Sequence, residues 1–89
     1  MDITVEISMC PLRENYEPAI VEFITNIKGI ENLEVRVNPT ATHIFGPYDL
    51  VMDALKAEIA KSFHKYGKAV FAVKFLNGNL SESLDGKNL

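Results

Sequence analysis

The side chains best suited to chemistry sit at the start of the chain. In Ile3-Thr4-Val5-Glu6-Ile7-Ser8-Met9, apolar residues alternate with Thr4, Glu6 and Ser8. That period of two is a half-buried strand, and it places the three polar side chains together on one face. An ionised carboxylate accepts hydrogen bonds, and the hydroxyls on either side of it can both donate and accept. It also needs donors, because a carboxylate withdrawn from water and left unpaired is costly. Arg36 and Lys74 are the candidates, so a structural salt bridge is the competing reading of Glu6. Little else along the chain points to a reaction. His43 and His64 are isolated in sequence, and Cys10 is the single cysteine, so neither a disulfide nor a metal site is expected. Cys10 reads as a small apolar packing residue behind the first strand. Asp49 and Asp53, four apart, read as solvated charges near a helix start. The chain shows no Ser-His-Asp order and no glycine-rich phosphate loop.

The elements that must position these residues follow from periodicity. Cys10 to Asn15 breaks the first strand as a loop. From Tyr16, Ile20, Phe23, Ile24 and Ile27 recur at helical spacing. Pro18 suits the first turn, with Asn15 or Glu17 as cap, and Lys28-Gly29 suits a left-handed stop. Leu33, Val35 and Val37 alternate as a second strand, Asn38-Pro39 marks a turn, and Thr40 to Phe45 returns as a third. The face of that third strand shared with Glu6 is left open, since its alternation is not clean. Gly46-Pro47 closes it and opens the longest helix, with Tyr48, Val51, Met52, Leu55, Ile59, Phe63 and Tyr66 as its apolar stripe and Gly67 beyond its end. Ala69 to Leu76 is a fourth strand with Phe71, Val73 and Phe75 on one face, ended by Asn77-Gly78-Asn79. The order βαββαβ predicts an α+β, ferredoxin-like fold: a four-stranded antiparallel sheet with both helices on one face and strands one and three central. Residues 1–79 form the single domain and 80–89 a polar C-terminal tail.

With 89 residues, 47% hydrophobic and 24% charged, the chain has room for one globular domain. A net charge of -3 argues against a nucleic-acid partner, which needs a basic stripe to neutralise phosphates. Met1-Asp2-Ile3-Thr4 lacks a basic and apolar leader, and no apolar run approaches a membrane span, so a cytoplasmic protein without membrane insertion is expected. The second face of the last strand reads Val70, Ala72, Lys74, Leu76, too apolar for a face left in water. Self-association through the open sheet, as a homodimer or homotetramer, accounts for it.

Nearly the whole chain, from about Ile3 to Asn79, resembles a known family. The matching residues are Ile7-Ser8-Met9-Cys10-Pro11-Leu12, Asn15-Tyr16-x-Pro18, Thr42 through Leu55 (THIFGPYDLVMDAL), Gly67-Lys68-Ala69-Val70-Phe71 and Lys74-Phe75-Leu76-Asn77-Gly78. They are similar to the YkoF-related family of thiamine-binding proteins. The resemblance implies a ferredoxin-like domain that binds thiamine or its hydroxymethylpyrimidine part without catalysis, in uptake, salvage or buffering of the vitamin. It implies no cofactor beyond that ligand, and assembly through the sheets. By matching position it implies Glu6 and Ser8 as polar contacts, Asn15 and Tyr16 at the mouth, Thr42 as a further hydroxyl and Phe45 as a stacking ring. His43 stands where relatives carry other polar residues. Two alternatives remain: an oligomeric interaction module with no small ligand, and acylphosphatase-like hydrolysis using Arg13 and Asn15. The second is the weaker, since the loop lacks glycines to cradle a phosphate.

Overall fold

The computed structural model describes residues 1–82. Its elements are β1 (Asp2–Pro11), α1 (Glu17–Lys28), β2 (Glu34–Val37), β3 (Thr42–Pro47), α2 (Tyr48–Tyr66) and β4 (Ala69–Asn77). The four strands form one antiparallel sheet in the order β2-β3-β1-β4. β1 and β3 are therefore central, as the sequence predicts, and the fold is ferredoxin-like. Residues 83–89, most of the expected tail, lie outside the described residues.

Alternation along β1 decides which face becomes the core. Ile3, Val5 and Ile7 point inward and meet Ile44 of β3, Phe23 and Ile27 of α1, and Val51, Ala54 and Leu55 of α2. Both helices supply this one cluster, and neither covers the opposite face. Among the described residues no helix is long and apolar enough to cross a membrane.

Several boundaries differ from the sequence reading, each for a physical reason. β1 continues to Pro11, because Met9, Cys10 and Pro11 pair with Phe71, Val70 and Ala69 of β4. Cys10 is consequently exposed on the outer face rather than packed. α1 starts after Tyr16, with Pro18 in its first turn and no side-chain cap. Gly29 stays right-handed at φ -76°, and the left-handed turn falls at Asn32, φ 72°. On α2 the buried stripe is Val51, Ala54, Leu55, Glu58 and Ser62, while Tyr48 and Phe63 are nearly half exposed. Glu58 is accepted in this stripe because the Asn26 amide and the Lys61 ammonium each donate to it at 2.9 Å. Such pairing is what a buried carboxylate requires. Ser62 Oγ is buried with no hydrogen-bond partner among the described residues.

β3 starts at Thr42, not Thr40, and runs on through Gly46 and Pro47, which pair with Ile3 and Asp2. Gly46 is set by close approach. A Cβ there would lie 2.7 Å from Leu33 Cδ2 and 3.1 Å from the Asn32 carbonyl oxygen. The leucine can swing aside, but the backbone oxygen belongs to the left-handed turn at Asn32. Gly46→Ala is expected to destabilise the domain by about 1–3 kcal/mol, the usual cost of overpacking. Chemical denaturation checks this; an unchanged midpoint would show that the 32–33 segment yields freely.

Candidate functional site

The strand register assembles two cross-strand rows on the uncovered face. Lys74 opposes Glu6, Glu6 opposes His43, and His43 opposes Arg36. One step along, Leu76 opposes Thr4, Thr4 opposes Phe45, and Phe45 opposes Glu34. Directly opposed side chains on one face lie close enough to interact. Apart from Glu34, these residues line a concavity of about 520 Å³, completed by Asn38 and Leu80. Its size is that of a small-molecule site.

Glu6 is the centre of its polar half. His43 Nε2 lies 3.2 Å from Glu6 Oε2, and Lys74 Nζ 3.5 Å from Glu6 Oε1. Asn38 Nδ2 lies 2.9 Å from His43 Nδ1. With the Asn38 amide donating to Nδ1, the imidazole carries its proton on Nε2 and donates to the carboxylate. The His43 hydrogen bond first, and the Lys74 charge second, hold the Glu6 carboxyl below its ordinary value of 4.5. A carboxylate so stabilised accepts hydrogen bonds well and takes up protons poorly at neutral pH. Glu6 is thus both salt-bridged and reachable, its side chain 38% exposed. The anticipated Lys74 pairing is present, but the shorter contact is with His43.

Phe45 supplies the aromatic part. The Arg36 guanidinium stands 5.2 Å from its ring centroid, and the His43 ring lies 6.5 Å away at 21°. Arg36 also donates to Glu34 Oε2 from Nε at 2.7 Å, which tethers the guanidinium on β2 while it lies over the Phe45 ring. Leu76 and Leu80 close the other end as an apolar wall.

Of the residues singled out from sequence, Glu6, His43 and Phe45 are brought together here. Ser8 shares their face but does not line the concavity; its hydroxyl donates to the Thr40 carbonyl at 3.2 Å. Thr42 belongs to the other side of the sheet. It is buried beside a smaller cavity of about 100 Å³ formed with residues of β1, α1 and the turn before β3. The pleat makes this unavoidable, since neighbours in a strand face opposite ways and His43 faces Glu6. Asn15 and Tyr16 are exposed and line neither cavity. The extension of β1 to Pro11, roughly 16 Å of strand beyond Glu6, carries their loop away from the sheet centre. Arg13 packs its guanidinium 5.2 Å over the Tyr66 ring, apart from the concavity. Among the described residues, no group of three or more His, Cys, Asp or Glu could hold a metal ion.

Asn38, Leu76 and Leu80 line the site although the sequence did not single them out as contacts, and Thr4 lines it as well. Alternation puts Thr4 on the face of Glu6 and Leu76 on the second face of the last strand, and the register then brings the two together. Leu80 carries no local signal, because nothing in its neighbours shows that the chain turns back across the sheet.

No protein-family model matches the chain, and no curated protein matches it in sequence. Solved structures do share its fold. A Streptococcus pneumoniae protein aligns at a TM-score of 0.82 and 22% identity, over 99% of this chain and 98% of its own. A Thermotoga maritima protein named for thiamine biosynthesis/salvage aligns at 0.77 and 20% identity, over 88% and 85%. A hypothetical protein from Methanocaldococcus jannascii aligns at 0.77 and 19% identity, over 98% and 91%. At such identities the likeness establishes the fold.

Proposed function

We propose that the outer-face concavity binds thiamine or its hydroxymethylpyrimidine half, without catalysis. The observation that carries this reading is the Asn38–His43–Glu6 chain beside Phe45, on the sheet face that neither α1 nor α2 covers. An aminopyrimidine presents an exocyclic amine that can donate to the Glu6 carboxylate, and ring nitrogens that accept from an amide or ammonium. Its flat apolar faces suit a site with one aromatic flank. The depressed Glu6 carboxyl favours recognition over proton abstraction. Support from comparison is twofold: the sequence resemblance to the YkoF-related family, and the shared fold with the Thermotoga protein named for thiamine biosynthesis/salvage. Uptake, salvage or buffering of the vitamin in the cytoplasm, by a protein assembled through its sheets, is the corresponding role.

A ligand that binds only the folded state raises the unfolding midpoint in proportion to the logarithm of its concentration, by about 2.7 kcal/mol of stabilisation at a hundred times Kd. Titration with thiamine, its phosphates and hydroxymethylpyrimidine is expected to show such a rise for at least one. No shift with any of them at millimolar concentration rejects the proposal.

One observation favours a second reading, an interaction module with no small ligand. β4 is an edge strand, and Val70, Phe75 and Leu76 on it are about half exposed. A free edge of this length invites pairing with another chain. In that case sedimentation shows concentration-dependent association while every titration is flat.

A further inference from the structure

We infer that Thr4 is a positioning residue whose hydroxyl staples the turn after β4 across the open face, so that Leu80 becomes a wall of the ligand site. Thr4 lies on the outer face of the central strand β1, where a threonine is ordinarily solvated, yet it is only 9% exposed. Its hydroxyl is used in both directions. It donates to the Gly78 carbonyl at 2.8 Å and accepts the Leu80 N–H at 2.9 Å. The backbone adds a third tie, from the Gly78 N–H to the Asp2 carbonyl at 3.0 Å. Gly78 has φ +107°, a conformation that side-chain-bearing residues rarely adopt, and it is there that the chain leaves β4. Asn79 Oδ1 accepts the Ser81 N–H at 2.9 Å and closes the turn.

The consequence is chemical. Without the staple, the outer face near Phe45 is bounded only by the strands. With it, Leu80 stands across the concavity together with Leu76, and the site gains an apolar end opposite its Glu6–His43 end. Such a site suits a flat heteroaromatic ring with its hydrogen-bonding edge toward Glu6 and an apolar edge, such as a ring methyl, against the leucines. The ligand half of this inference rests on the proposed thiamine or pyrimidine binding; the staple itself does not.

Two variants separate the parts. Thr4→Val keeps the shape and removes both hydrogen bonds, whereas Thr4→Ser keeps them. Amide hydrogen exchange on the unliganded full chain is expected to show Leu80 at least about tenfold less protected in Thr4→Val than in the wild type, and restored in Thr4→Ser. Affinity for thiamine or hydroxymethylpyrimidine, whichever stabilises the wild type, is expected to fall roughly tenfold in Thr4→Val and in Leu80→Ala, and to recover in Thr4→Ser. Leu80→Ala keeps the backbone staple, so it tests the wall even where Thr4→Val folds poorly. Unchanged Leu80 exchange in Thr4→Val overturns the staple, and wild-type affinity in Leu80→Ala overturns the wall. If neither probe binds the wild type, the ligand reading fails by itself, and the exchange comparison still decides the role of Thr4.

Discussion

Phe23→Ala is expected to destabilise the domain by about 3–5 kcal/mol, the range for truncating a buried phenylalanine. Phe23 is 4% exposed in the core cluster. Its ring centroid lies 5.2 Å from that of Phe71, which in turn lies 5.6 Å from Phe63. The three rings link α1, β4 and α2. Among the described strands β4 pairs with β1 alone, so the ring of Phe71 is one of its main attachments to the helices. Removing Phe23 takes away one of the two rings packed on Phe71 and enlarges the cavity of about 100 Å³ that Phe23 already lines. For a domain of this size the loss corresponds to a Tm lower by roughly 15–30 °C, a large part of the 5–15 kcal/mol that holds such folds together. Phe23→Leu should cost far less, since most of the volume stays. Thermal and urea unfolding of both variants decide it: a loss near 1 kcal/mol for Phe23→Ala would mean that α1 can move in to close the space.

The residues that make this core were legible in the sequence, because β1 alternates strictly and α1 repeats at helical spacing. Where reading failed, long-range pairing had overruled a local signal. Cys10-Pro11 looks like a loop, but β4 offers partners for it. Gly46-Pro47 looks like a terminator, but Ile3 and Asp2 draw it into the sheet. On α2, Glu58 and Ser62 lie on the buried face, and the carboxylate is acceptable there because Asn26 on α1 and Lys61 on α2 both donate to it. The site divides in the same way. Glu6 was visible because its face is set by its own neighbours. Choosing His43 over Thr42 required the β1–β3 register, and Leu80 required the turn beyond β4, neither of which is encoded within a few residues of the side chain concerned.

Glu6→Gln is expected to weaken binding of the aminopyrimidine ligand on the order of ten- to a hundredfold, the usual loss for a charge-assisted hydrogen bond, while the unliganded fold persists. The amide keeps the shape of the carboxylate but turns one acceptor into a donor, which then faces the ligand amine or Lys74. The ionic state of Glu6 gives an independent check. His43 first and Lys74 second hold its carboxyl below 4.5, so its folded-state value lies under its unfolded one. The contacts of Glu6 therefore stabilise the fold above the unfolded value and are lost as pH falls through the folded value, in a window below 4.5. Carboxyl-carbon NMR should find Glu6 titrating below 4.5 in the wild type, and His43→Leu should move that midpoint upward by removing the hydrogen bond that holds the carboxyl down most. Any loss of ligand binding caused by protonating Glu6 should accordingly have its midpoint below 4.5. A Glu6 carboxyl that titrates above 4.5 would break the electrostatic account of the site. Full affinity in Glu6→Gln would remove Glu6 from the ligand altogether and return it to the role of a surface ion pair.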